Sequence, residues 1–158
     1  MQESLYNAKA ELKRADHLIN VSLKYTRTVD VIKHIIQRLI TAIDFGMEAL
    51  LRKARDQKKI AVVPTLPRLC LEQTRALYQS NQQLMQYLDL YIFLKKVDKA
   101  KFDRSQEFRR HVTMTAHLEK ESVEINIDII SDYFEKVKEF MTMVDKIAYD
   151  IPLETPPT

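Results

Sequence analysis

The chain has 158 residues, long enough to bury a core in one domain, and its single glycine excludes a glycine-rich phosphate loop. Its one cysteine excludes an internal disulfide and a paired-cysteine zinc site, and favours a reducing, cytoplasmic environment. The net charge is only +3, but residues 121–158 hold nine acidic and three basic residues, so the first 120 residues are strongly basic. On charge alone a solvated loop and helix face are the simpler explanation, and an anion-binding surface beside an acidic face is the alternative.

Apolar residues spaced three and four positions apart predict the first two helices. The first covers residues 2–25 and ends at Tyr25-Thr26-Arg27-Thr28, where two threonines offer a stop and a new N-cap. The second covers residues 29–58 and ends in a charged run. The two prolines at Pro64 and Pro67 then predict a loop, because a proline disfavours helical geometry in the residue before it.

The second half of the chain continues the helical pattern. The third predicted helix runs from about Leu69 to Leu94, and the basic connection 95–104 has room for a short turn at Phe102-Asp103. The fourth helix begins between Phe108 and His117 and ends before Pro152. We therefore predict an all-α fold, an antiparallel up-and-down bundle of four long helices with room for a short fifth.

We expect one helical-bundle domain over residues 1–150 and a C-terminal tail over residues 151–158. No run approaches the roughly 18 apolar residues that span a membrane, so we expect a soluble protein that does not enter one. Apolar residues left over on the third helix, Tyr87, Ile92 and Phe93, indicate a contact with another subunit, and we expect a homodimer.

The histidines and acidic residues give no metal pattern. His17 and His34 each stand alone on a predicted helix, and we interpret both as ordinary surface or boundary residues. The acidic residues of the last helix form one stripe without partner histidines, which is typical of a solvated face. We therefore predict neither a metal site nor a cofactor.

The segment from Arg109 to His117 carries the chemistry that stands out in this sequence. An arginine such as Arg110 can hold a phosphate with two hydrogen bonds, and a histidine such as His117 can transfer protons near neutral pH. Such a pair can cleave a phosphodiester without a metal, and the hydroxyl of Thr113 can contact phosphate oxygens. The simpler alternative is a helix N-terminus capped by Thr113 or Thr115, with its basic residues in solvent.

Arg110-His111-Val112-Thr113-Met114-Thr115-Ala116-His117 resembles the Arg-polar-x(4–6)-His motif of the HEPN superfamily (higher eukaryotes and prokaryotes nucleotide-binding domain). The resemblance implies a helical bundle with the motif at or before its last core helix. Active members are metal-independent endoribonucleases, usually dimers with a composite site, and others bind RNA or nucleotides without cleavage. One toxin subgroup has a tyrosine two residues after the histidine, where this chain has Glu119.

The resemblance implies a role for each matching residue. Arg110 would bind the phosphate and the transition state, His117 would be the acid and base, and His111 would be an auxiliary catalytic contact. Glu48, on the second helix, would orient the site. We assign nucleic-acid contacts to Arg104, Arg109 and Thr113, and Arg109 competes with Arg110 for the arginine role.

Two classes of function stay open. The first is an endoribonuclease, or an RNA- or nucleotide-binding protein, that uses the Arg-x6-His motif. The second is a non-catalytic helical module that binds another protein.

Overall fold

The computed structural model describes residues 1–153, and most of them are helical. The helical segments are α1 (Gln2–His17), a π-helical turn (Leu18–Ser22), α2 (Leu23–Tyr25), α3 (Val29–Asp56), α4 (Pro67–Leu77), α5 (Gln82–Lys99) and α6 (Ile127–Ala148). The strands are β1 (Lys101–Ser105), β2 (Thr113–His117) and β3 (Ser122–Ile125).

Helix α3 lies at the centre of the core. Its apolar residues recur on one wide stripe and are almost all fully buried, while Thr28 caps its first turn by accepting a hydrogen bond from the amide of Val31 at 3.4 Å. Its C-terminal end is tied to that of α6, because the ammonium group of Lys53 donates to the carbonyl of Ile147 and to the carboxylate of Asp150. Helices α3 and α6 therefore run in the same direction.

Helices α1 and α5 run opposite to this pair. On α1, Glu11 meets Arg38 of α3, and Lys9 meets Asp145 near the end of α6. On α5, the carboxylate of Asp98 accepts a hydrogen bond from Gln37, near the start of α3. The first turns of α3 and α6 and the last turns of α1 and α5 consequently share one end of the molecule.

A three-stranded antiparallel sheet in the order β1-β2-β3 lies at that end. The prediction of an all-α chain is therefore wrong for residues 101–125, and so are the helical turn at Phe102-Asp103 and a fourth helix starting before His117. In β2, Met114 and Ala116 are buried while Thr113, Thr115 and His117 are at least partly exposed, a period of two that suits a strand and not a helix. Helix α6 begins only at Ile127, after its N-cap Asn126.

The rest of the predicted architecture agrees with the structure in part. The mostly helical chain is confirmed, whereas the simple four-helix bundle is not. The third predicted helix is two helices, α4 and α5, separated by a turn at residues 78–81. Tyr87, one of the residues assigned above to a subunit contact, is only 6% exposed, because its ring packs edge-on against Phe140 of its own chain.

Among residues 1–153, no helix combines the length and the apolar character needed to cross a membrane. In the predicted C-terminal tail, residues 151–153 are exposed. The other residues of that tail, 154–158, lie outside the described part of the chain.

Candidate functional site

The predicted motif lies on a β-hairpin. Arg110 and His111 are in the turn between β1 and β2, whereas His117 is the last residue of β2. From Thr113 to His117 the strand rises by about 3.3 Å per residue, roughly 13 Å in all. Within one chain the structure therefore does not bring Arg110 and His117 together.

The hairpin turn is fastened to the corner between α2 and α3. The amide of Phe108 donates to the carbonyl of Arg27 at 2.6 Å, and Arg104 pairs with Asp30 at 2.8 Å and with Glu107 at 3.3 Å. The hydrogen bond from Arg104 lowers the pKa of Asp30, and the bond to Asp30 raises the pKa of Arg104. The turn is thereby held in one place against the helices.

The same turn contains two residues in the left-handed region, Gln106 with φ 56° and Phe108 with φ 66°. This conformation is unfavourable for a side chain as bulky as phenylalanine, and such backbone persists where the surroundings enforce it. Here the bond from Phe108 to Arg27 does so, and it leaves the phenyl ring in solvent.

A cleft of about 470 Å³ opens between this turn, the π-helical turn with α2, and the start of α6. We call it the basic cleft. Its lining includes the predicted residues Arg110, His111 and Thr113. Two further cations, Lys24 and Arg27, also line it and were not predicted from the sequence. The other lining residues are Ile19, Asn20, Leu23, Asn126, Ile127, Asp128 and Ser131, of which only Asp128 is acidic.

The start of α6 adds to the positive potential of the basic cleft. The side chain of Asn126 accepts a hydrogen bond from the amide of Ile129 at 2.9 Å, so the cap fixes the first turn. The amides of Ile127 and Asp128 have no acceptor within the helix, and the dipole of this 22-residue helix is positive at that end. Anions bind at such positions when basic side chains accompany them.

Arg27 is incompletely satisfied in this cleft. Its Nε is buried and finds no hydrogen-bond partner among the described residues. Because buried donors are nearly always paired, this N–H is an exception among the described residues.

Two exposed aromatic residues are close to Arg27 along the backbone. Phe108 is 75% exposed and reaches the backbone of Arg27 through its amide, and Tyr25, two residues before Arg27, is 86% exposed. Exposed rings beside cations are the arrangement on which single-stranded bases stack while their phosphates meet the basic groups.

His117 has a different environment. Its Nε2 is 2.7 Å from a carboxylate oxygen of Asp103, and its Nδ1 is 3.0 Å from the hydroxyl of Ser122, its register partner on β3. The order of groups matches a Ser-His-Asp triad, but the carboxylate of a triad is buried, whereas the side chain of Asp103 is 76% exposed. We interpret the cluster as polar cross-strand pairing on the outer face of the sheet.

The other predicted site residues are dispersed. Glu48 lies 19 residues along α3 from Val29, about 29 Å at 1.5 Å per residue, and pairs with Arg52. It cannot orient the hairpin motif of its own chain. Arg104 is occupied by its two ion pairs beside the cleft, and Arg109 is exposed in the turn next to Arg110.

The sequence contains only a weak signal for the part of the site that was not predicted. Asn126 before an apolar run is a helix-start signal that would have moved the start of α6. Nothing local marks Lys24 and Arg27, because they reach the cleft only through the packing of α2 against the hairpin turn.

No protein family, curated protein or solved structure matches this chain.

Proposed function

We propose that this chain binds single-stranded RNA through the basic cleft. The observation that carries the proposal is the convergence of Lys24, Arg27 and Arg110 with the N-terminus of α6. Phosphate groups fit this convergence, and the exposed rings of Phe108 and Tyr25 provide surfaces for unpaired bases.

Membership of the HEPN superfamily stays a prediction. The helical surroundings of the motif support it, and the position of the motif on a hairpin weighs against transferring the catalytic roles residue by residue. If the chain cleaves RNA, His111 is the better candidate for proton transfer, because it lines the cleft with Arg110 and His117 does not.

The binding test is fluorescence anisotropy with a labelled single-stranded RNA across a range of salt concentrations. Each phosphate neutralised on a single strand contributes about 0.7 to the slope of log affinity against log salt. Three permanent cations predict a slope of about 2, and the Arg27→Ala/Arg110→Ala variant should reduce it to about 0.7. Arg55→Ala/Lys59→Ala, which removes two cations at and just after the C-terminal end of α3, is the matched control.

An unchanged slope in the cleft variant, or an equal fall in the control, would rule out the basic cleft as the binding site. Wild-type protein that binds the RNA but leaves it intact in excess chelator would rule out a metal-independent nuclease. Where cleavage occurs, we expect His111→Ala to abolish it and His117→Ala to retain it. The reverse result would restore the original assignment to His117.

A second surface favours the protein–protein interaction alternative. A groove of about 310 Å³ between α4 and α5 has an apolar floor that includes Leu71 and Ile92. The cations along the groove are Arg68, Lys95, Lys96 and Lys99. On the other side of α5, α6 presents an exposed acidic stripe, consisting of Asp128, Asp132, Glu135 and Glu139.

A two-fold axis along α5 would place the basic groove of each copy against the acidic stripe of the other, so the surface is suited to a homodimer. We expect Lys96→Glu/Lys99→Glu to convert a dimer to monomers in light scattering. Combining it with Asp132→Lys/Glu135→Lys should restore the dimer. A monomeric wild-type protein at micromolar concentration would remove this candidate.

A further inference from the structure

A second basic site lies between α1 and α3, outside the basic cleft. The antiparallel packing of these helices brings His17 and His34 to one groove of about 380 Å³, although each stands alone in the sequence. We call it the histidine groove. Its lining residues are Lys13, Arg14, His17, Leu18, His34 and Arg38, so all but one are basic.

A buried carboxylate holds two of these cations in place. Glu11 is 6% exposed and accepts hydrogen bonds from Arg14 at 2.7 Å and from Arg38 at 3.2 Å. Each bond uses one guanidinium nitrogen, which leaves other N–H groups of both arginines for an acceptor in the groove. With Lys13, the groove has three permanent cations against one carboxylate.

The other acidic groups near the histidines are engaged elsewhere. Asp30, whose pKa is lowered chiefly by the hydrogen bond from Arg104 and slightly by the charge of His34, pairs with Arg104. Asp16, next to His17, accepts a hydrogen bond from the side-chain amide of Asn20 at 2.6 Å. Asp30 is thus paired with Arg104, whereas the neutral amide of Asn20 leaves Asp16 charged. The three permanent cations of the groove still outnumber Glu11 and Asp16.

We propose that the histidine groove binds a phosphate-bearing anion, with an affinity that increases as the pH falls. Arginine side chains bind phosphate oxygens through charge-assisted hydrogen bonds, and imidazole is the side chain that gains charge between pH 8 and 5. The phosphate can belong to a small phosphate compound or to an RNA strand, because the groove would contact the same oxygen atoms in both.

The four histidines of the chain provide the measurement, since each is a separate proton NMR probe that His→Gln variants assign. His17 and His34 report the histidine groove, His111 reports the basic cleft, and His117 is the control on the sheet. Sulfate is the first probe, because it imitates phosphate and its own charge does not change between pH 7.5 and 5.5. A short single-stranded RNA is the second.

We expect saturable shifts of His17 and His34 with sulfate, absent in Lys13→Ala/Arg38→Ala. Lowering the pH should tighten sulfate binding by at least about fivefold for each imidazole that gains a proton, because fivefold corresponds to a contact between unit charges in water and sulfate carries two charges. Because removing one cation can disturb Glu11, His17→Gln/His34→Gln is the second variant. Its affinity for sulfate should no longer change with pH, measured by isothermal titration calorimetry because this variant lacks the two histidine probes.

The proposal would be overturned if neither probe shifted the signals of His17 and His34. It would also be overturned if these signals shifted only in parallel with that of His117. Retention of the pH dependence in His17→Gln/His34→Gln would overturn the role of the imidazoles. RNA that moves these two signals identifies a strand as the ligand, and sulfate alone identifies a small phosphate compound. The RNA-binding function is tested separately, because it fails if the RNA does not shift the signal of His111.

Discussion

Gly46 of α3 packs directly against Phe140 and Met141 of α6, and replacing it with alanine tests that packing. A Cβ atom at this position would be 2.7 Å from Cε1 of Phe140, 3.1 Å from its Cζ and 3.2 Å from the sulfur of Met141. Unstrained carbon contacts lie at about 3.5–4.0 Å. Phe140 is fully buried and Met141 nearly so, so the ring has little free space into which it can move.

Two effects oppose each other in Gly46→Ala. Overfilling a packed core costs about 1–3 kcal/mol, and alanine gains about 1 kcal/mol over glycine in a helix interior. We therefore expect a net loss of about 1 kcal/mol in the free energy of unfolding. With a urea m-value of about 2 kcal/mol/M, the unfolding midpoint should fall by about 0.5 M.

A double-mutant cycle separates the clash from the helix preference. Phe140→Leu costs stability by itself but removes the ring atoms that the new methyl group would meet, so Gly46→Ala should be neutral or stabilising in that background. Urea unfolding followed by circular dichroism gives all four free energies. Stabilisation by Gly46→Ala in the wild-type background would refute the close contact between the helices.

Three other perturbations test separate parts of the structure. Burial raises the pKa of Asp44 even though Tyr91 donates a hydrogen bond to its carboxylate. The folded state therefore binds the carboxyl proton of Asp44 more tightly than the unfolded state does, and the free energy of unfolding falls as the pH rises. Asp44→Asn should unfold at a higher temperature than wild type at pH 7 and at the same temperature below about pH 4; a less stable variant at pH 7 would contradict this. Asn126→Ala should lose about 1 kcal/mol in urea unfolding because it removes the cap of α6, and Asn126→Asp should retain it; equal losses would exclude capping as the cause. Phe108→Gly should keep the melting temperature, since glycine accepts a positive φ, but weaken RNA binding in anisotropy; unchanged affinity would show that the ring does not stack on bases.

Sequence periodicity located α3 well because local and tertiary signals agree there. Thr28 is a strong N-cap, and the apolar stripe continues without a break, so the predicted range 29–58 matches the observed Val29–Asp56 closely. The break between α4 and α5 is different, since residues 78–81 contain neither glycine nor proline. Asn81 caps α5 there, and the apolar spacing alone joined the two helices.

The hairpin was not predicted, for a similar reason. Its turn adopts positive φ at Gln106 and Phe108, residues that carry no hairpin signal, and the turn is kept in shape by a bond to Arg27, about 80 positions earlier. The sequence could therefore identify Arg110, His111 and Thr113 as candidates for phosphate binding. It could not identify their neighbours Lys24 and Arg27, because tertiary packing alone brings these to the cleft.

The π-helical turn explains how one helical segment contributes to both basic sites. In an uninterrupted α-helix, residues seven apart lie on the same face, and Lys24 would follow His17 along the histidine groove. The π-helical turn at Leu18–Ser22 rotates by a smaller angle per residue about the helix axis. Lys24 therefore lies on a different face from His17 and lines the basic cleft beside α6. Such turns are frequent at functional sites, and here the turn lies between the two groups of cations. The π-helical turn thus lets a single helical segment place cations on two different faces of the molecule.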